Sequence, residues 1–188
     1  SPAGQQSTAS VYLYQYIANG ESLATHQILV VHPSSEEMDA NILRNATSPD
    51  WAVFLSEMQK VATVESEGVG QILAMGGDVD SPVATAPGRT NMYFQMSVSD
   101  PAAYASAWSD FTSANAGAGV VSYLSSVAAF GSNPSTHVVN NVYSSIGEAV
   151  SNMPQTYEGW HAFSQRIRNI RTIEGRAITT LVTSWLPD

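Results

Sequence analysis

Cysteine is absent from the 188 residues, which removes disulfides, thiolate metal sites and cysteine nucleophiles together. Lysine is almost absent: Lys60 is the single one, and arginines supply the remaining positive charge. Charged residues of both signs make up only 12% against 44% apolar residues, and that charged share is about half the usual one. Such a balance buries a core instead of leaving a disordered chain. Positive charge is too scarce to hold nucleic acid or an anionic membrane surface, since the net charge is −9 and the pI about 4.7. No apolar run approaches the roughly 20 residues of a membrane span, so membrane insertion is not expected. The first residues, Ser1-Pro2-Ala3-Gly4, lack a methionine. With no cysteine and abundant Ser, Thr and Asn, that start fits an exported protein, extracellular or periplasmic, whose signal peptide has been removed. Asn45-Ala46-Thr47 matches a glycosylation sequon.

What the chain does contain is a repeat. Tyr12, Leu13, Ala18, Gly20, Thr25 and His26 recur at the same spacing as Tyr123, Leu124, Ala129, Gly131, Thr136 and His137. Further on, Trp51, Phe54, Thr63 and Glu65 return as Trp160, Phe163, Thr172 and Glu174, with the offset changed by a short loop deletion. Self-similarity at fixed spacing signals duplicated architecture, so the chain reads as a tandem duplication.

Residues 1–10 are small and polar and read as a flexible arm. In 11–79, Val11 to Ile17 and His26 to His32 have the β-branched and aromatic content of strands, separated by the turn pair Asn19-Gly20. A helix is expected from Glu36 to Arg44. A second starts at Ser48 and Pro49 and carries Trp51, Phe54, Leu55, Met58 and Val61 on one stripe. Gln71 to Met75 reads as a strand. Residues 80–90 are proline-rich and aperiodic, a linker. In 91–188, the strand Asn91 to Val98 leads to a helix capped by Asp100 and Pro101, with Tyr104, Trp108 and Phe111 on one face. Strands Val120 to Phe130 and Thr136 to Tyr143, a helical stretch to Pro154, the Trp160 helix and a strand from Ala177 to Trp185 follow. That order, β-α-β-β-α-β, is the split βαβ unit with an antiparallel sheet. The fold class is therefore α+β, two ferredoxin-like repeats, of which the first lacks its opening strand and helix. A rival alignment pairs Leu13 to Asn19 with Tyr93 to Ser99, but it loses the register of Gly20, Thr25 and His26.

A duplicated unit of this kind resembles the dimeric α/β-barrel superfamily, in which two such units pack sheet against sheet. The superfamily includes antibiotic-biosynthesis-type monooxygenases, stress-responsive barrels and chlorite-dismutase-like haem proteins. The resemblance rests on topology and repeat, carries over no catalytic set and implies no cofactor.

His26 and His137 occupy equivalent places, each after a threonine at a strand start. They are candidates for a general base or for a metal or haem ligand; the structural alternative is a Thr-His pair closing the preceding hairpin. No His-x₃-His or His-Glu-x₂-His spacing occurs, so no metal site is expected. Trp51 and Trp160, with Phe54 and Phe163, either line a flat-ligand pocket or form ordinary helix-on-sheet core; Tyr12 and Tyr123 join them as candidate ligand contacts. Glu65 and Glu174 precede the last strand of each repeat and suit a base or, more simply, a turn. The cluster Arg166, Arg168, Arg171 and Arg176 reads as a solvated helix face or an anion site. Gly68-Val69-Gly70 and Gly76-Gly77-Asp78 lack the ending of a phosphate loop. Three functions follow as expectations. The first is an exported barrel binding a small apolar or aromatic ligand without catalysis. The second is a cofactor-independent monooxygenase-like enzyme with a histidine base. The third is an assembly protein, self-associating by strand complementation at the open sheet edge of its first repeat.

Overall fold

The computed structural model describes residue 4 and residues 7–187; half of the expected arm, residues 1–3, 5 and 6, lies outside them. Seven strands form one antiparallel sheet. In chain order the elements are β1 (Ser10–Ala18), β2 (His26–Val31), α1 (Ser35–Thr47), α2 (Pro49–Met58), β3 (Gly68–Gly77), β4 (Thr90–Val98), α3 (Pro101–Ala114), β5 (Val121–Phe130), β6 (His137–Tyr143), α4 (Ile146–Ser151), α5 (Trp160–Ile167) and β7 (Arg171–Trp185). The strand order is β2-β1-β7-β4-β6-β5-β3. Within it, β4-α3-β5-β6-α5-β7 forms the arrangement β7-β4-β6-β5, a ferredoxin-like sheet.

Local chemistry sets the helix starts. Ser48 accepts a hydrogen bond from the Trp51 N–H and Asp100 accepts one from the Ala103 N–H, each followed by a proline at the first helical position. A proline there costs nothing, because its missing N–H would have had no helical partner.

The sheet curls. Tyr123 on β5 stands four strands from Tyr12 and Tyr14 on β1, about 19 Å apart on a flat sheet. Yet burial raises the Tyr123 pKa, Arg89 opposes that rise, and Tyr12 and Tyr14 add to it. Those groups share the inner face. Arg89 is 5% exposed; its Nη2 donates to Tyr14 Oη at 2.9 Å, and its Cζ lies 4.8 Å from the Tyr12 ring centroid. A buried guanidinium tolerates this place because phenol oxygen and ring faces replace water. Tyr14→Phe removes the hydrogen bond to a charged group and is expected to cost about 1.5–3 kcal/mol, read by urea unfolding; an unchanged midpoint would contradict that role.

The outer face carries the main core: Met96, Val98, Leu124 and Val139 pack under Tyr104, Ala107 and Trp108 of α3 and Phe163 and Ile167 of α5. Every member of that core comes from the second half of the chain. By contrast, α1 and α2 bury no residue, and the stripe expected to bury Trp51 and Phe54 leaves both partly exposed. Residues 80–90, expected as a linker, hold a 3₁₀ turn whose Val83 is buried against Val121 and Val142.

β7 begins at Arg171, six positions before the expected Ala177. Arg171, Glu174, Gly175 and Arg176 look like loop chemistry, but Arg171, Gly175 and Arg176 pair with Val98, Gln95 and Phe94 of β4, and Glu174 is the unpaired residue of a bulge. Glu174 therefore lies within the strand, exposed, and not in the turn that the sequence suggested.

Gly77 has φ +75°, and a Cβ there would lie 2.2 Å from the Val120 carbonyl oxygen; Gly20 has φ +65° with open space around it. Gly20→Ala should cost about 1–2 kcal/mol, the left-handed penalty alone. Gly77→Ala adds a backbone clash and should lower the melting temperature further; equal shifts would contradict the close approach at Gly77.

Candidate functional site

Between the outer face and the helices lies a largely apolar cavity of about 150 Å³. Its floor is Phe94 and Met96 of β4, Ser122 of β5, and Val139 and Asn141 of β6. These residues share a face because strand side chains alternate. Tyr104, Trp108 and Phe111 of α3 form one wall, and Trp160 and Phe163 of α5 the other. The rings support each other: Phe111 stacks on Phe163 at 4.7 Å, and Trp160 lies 5.6 Å from Phe163 between centroids. α3 can lie this close to the sheet end because position 76 is glycine; a Cβ there would lie 2.3 Å from Thr112 Oγ1. The Gly76-Gly77 pair thus serves packing.

Polar groups are few and placed. Ser122 Oγ donates to Asn141 Oδ1 at 2.7 Å. Tyr157 also lines the cavity, its pKa raised by burial. Arg171 and Arg176 of β7 both line the cavity. Arg171 is half-buried and Arg176 exposed, with its Cζ 5.9 Å from the Phe94 centroid. Burial raises the Tyr104 pKa, and Arg171 opposes that rise. Among the described residues neither arginine has a carboxylate partner, whereas Arg166 bridges Asp110 at 2.7 Å. The helix-face expectation thus fails for Arg171 and Arg176, which lie on β7 and line the cavity. The signal that could have placed Arg171 is period-two alternation with Ile173; Arg176 returns to that face only because the bulge at Glu174 shifts the alternation by one.

The expected site residues are dispersed. Trp160 lines the cavity. Trp51 lies on α2 against Phe54, ring centroids 5.0 Å apart, away from it. Tyr12 and Tyr123 lie on the inner face with Arg89, on the opposite side of the sheet from Leu124. His26 is exposed on β2, and His137 is 7% exposed on β6 behind Tyr104, 6.5 Å between ring centroids. Neither histidine lines the cavity. Each ring bonds its preceding threonine through Nδ1, at 3.0 Å for His26 and 2.9 Å for His137. Thr136 Oγ1 also accepts the Val98 N–H at 3.0 Å, which ties the His137 ring to the end of β4. Among the described residues no three His, Asp or Glu side chains converge on a metal site.

Burial lowers the His137 pKa from an ordinary value of about 6.5. The unfolded chain then binds a proton that the folded chain refuses, so stability rises with pH between the two values. This contribution is present above about pH 6.5 and is lost as the pH falls from there to the lowered folded value. Unfolding of the native chain between pH 7 and 5 should show a steeper loss than that of His137→Asn; parallel curves would contradict it.

No described protein family and no curated protein matches the sequence. Solved structures are similar. An anthrone oxidase-like protein superposes with a TM-score of 0.60 at 12% identity, over 98% of this chain and 82% of that one. A proposed monooxygenase from Fusobacterium nucleatum gives 0.57 at 12% identity, over 93% and 77%. Another from Lactobacillus acidophilus gives 0.55 at 15% identity, over 97% and 81%. At these identities the likeness shows the fold alone, an α+β barrel of the ferredoxin-like kind.

Proposed function

We propose that the chain is a cofactor-independent oxygenase that oxidises a flat, electron-rich aromatic substrate of the anthrone type in the cavity between α3, α5 and the sheet. The observation that carries this is an aromatic-walled cavity whose two arginines lack carboxylate partners among the described residues. Such a site fits a planar molecule that becomes an anion. The names of the similar structures favour catalysis over binding alone. Oxidation of an anthrone methylene to a carbonyl consumes one dioxygen: one oxygen atom enters the carbon, the other leaves as water with the two hydrogens. Loss of the first proton to solvent water at the open side of the cavity gives a delocalised anion able to reduce dioxygen directly. Arg171 and Arg176 stabilise that anion. The charge-handling role passes from the histidines to them, because the arginines line the cavity and neither histidine does.

We read the two halves as copies of one unit, and only the second retains a working cavity. Supporting the duplication, Tyr12 faces Leu29 as Tyr123 faces Asn140, and Gln15 faces His26 as Ser126 faces His137. The test is oxygen uptake with anthrone in buffer without added cofactor. Acceleration over the protein-free rate is expected; binding of anthrone with no acceleration would replace this account with the non-catalytic one.

A further inference from the structure

Both ends of the sheet are bare among the described residues: β2 pairs only with β1, and β3 only with β5. Native sheets blunt such edges with charge or proline. Here His26–Val31 and Gly68–Gly77 contain no lysine, arginine, acid or proline. Instead they expose Ile28 and Val30 on one edge and Ile72, Leu73 and Met75 on the other. α1 and α2, which lie between β2 and β3 in the chain, bury nothing and leave Ile42, Leu43 and Val53 more than half exposed. So much unblunted apolar surface marks a covered face.

What covers it follows from the duplication proposed above. If β1, β2 and β3 correspond to β5, β6 and β7, the first half has no counterpart of β4 and α3. In the second half β4 lies between β6 and β7, antiparallel to both, with α3 over it. The corresponding position in the first half lies between β2 and β3, the two ends of the curled sheet. The solved barrels fit: nearly all of this chain aligns, while part of each neighbour's length has no match here.

We propose that the position between β2 and β3 binds a strand–helix polypeptide segment from outside residues 1–188, patterned like residues 90–114. Its strand runs antiparallel to β2 and β3 and closes the barrel. Its helix lays an aromatic, apolar face on the outer side of the first half, covering the exposed residues of α2. Main-chain pairing supplies affinity and the alternating side chains supply register.

The probe is a synthetic peptide with the sequence of residues 90–114, added to the full chain and followed by amide hydrogen exchange and sedimentation. The expected result is a monomeric chain whose amides in β2 and β3 slow by about tenfold or more with peptide, while those of β4 and β6 do not change. The same peptide with proline at the positions of Tyr93 and Gln95 should give no slowing. Unchanged exchange with the intact peptide would overturn the proposal. So would a dimer of the chain alone with both edges already protected, which would make a second copy the occupant.

Discussion

Arg171→Gln lowers the rate of anthrone oxidation about 100-fold while the melting temperature stays near that of the native chain. The magnitude is that of removing one donor aimed at developing charge in a water-poor site. Arg171 is half-buried beside the buried Tyr104, where a lower dielectric strengthens its interaction with an anion. Arg176 is exposed, so solvent and salt screen it, and Arg176→Gln should cost about tenfold or less, an effect that shrinks as salt is raised. The order of the two effects is the informative part. A larger loss for Arg176 would move the reacting anion to the mouth of the cavity. No loss for either would remove the electrostatic role from both.

Phe163→Ala destabilises the chain by about 3–5 kcal/mol. The side chain is 6% exposed and is held by Phe111 at 4.7 Å, Trp160 at 5.6 Å and Tyr104 at 6.4 Å between ring centroids. Its removal uncovers the stacked face of Phe111, takes a contact from Trp160 and Tyr104, and joins a new void to the existing cavity. Against a total stability of about 5–15 kcal/mol for a typical domain, a loss of this size is severe. Phe54, at the corresponding place in α2, is partly exposed on a helix that buries no residue. Phe54→Ala should therefore cost about 1 kcal/mol or less. Chemical unfolding of the two variants measures the asymmetry between the halves directly; equal costs would mean that α2 is packed as tightly as α5.

The strands β1, β2, β4 and β6 and the starts of α2 and α3 were legible because each carries its own local chemistry. Those signals are β-branched runs, an Asn-Gly turn, and Ser-Pro and Asp-Pro caps. Of the aromatic residues offered for a flat-ligand pocket, Trp160 and Phe163 line the cavity and Trp51 and Phe54 do not. Tyr12 and Tyr123 were misplaced because a strand gives adjacent residues to opposite faces: Leu124 packs under α3, so Tyr123 points inward. Alternation along Arg171, Ile173 and Arg176 was obscured by Glu174 and Gly175, which resemble a loop and occupy a bulge. The poor burial of α1 and α2 was not legible, because the apolar stripe of α2 looks the same whether or not a partner surface meets it.

Soaking crystals of the chain with the oxidised product, an anthraquinone, tests the central claim most directly. The account predicts the ring system between Trp160 and Phe94, with a quinone oxygen toward Arg171. A molecule seated instead on the inner face, against Arg89, Tyr12 and Tyr123, would contradict it.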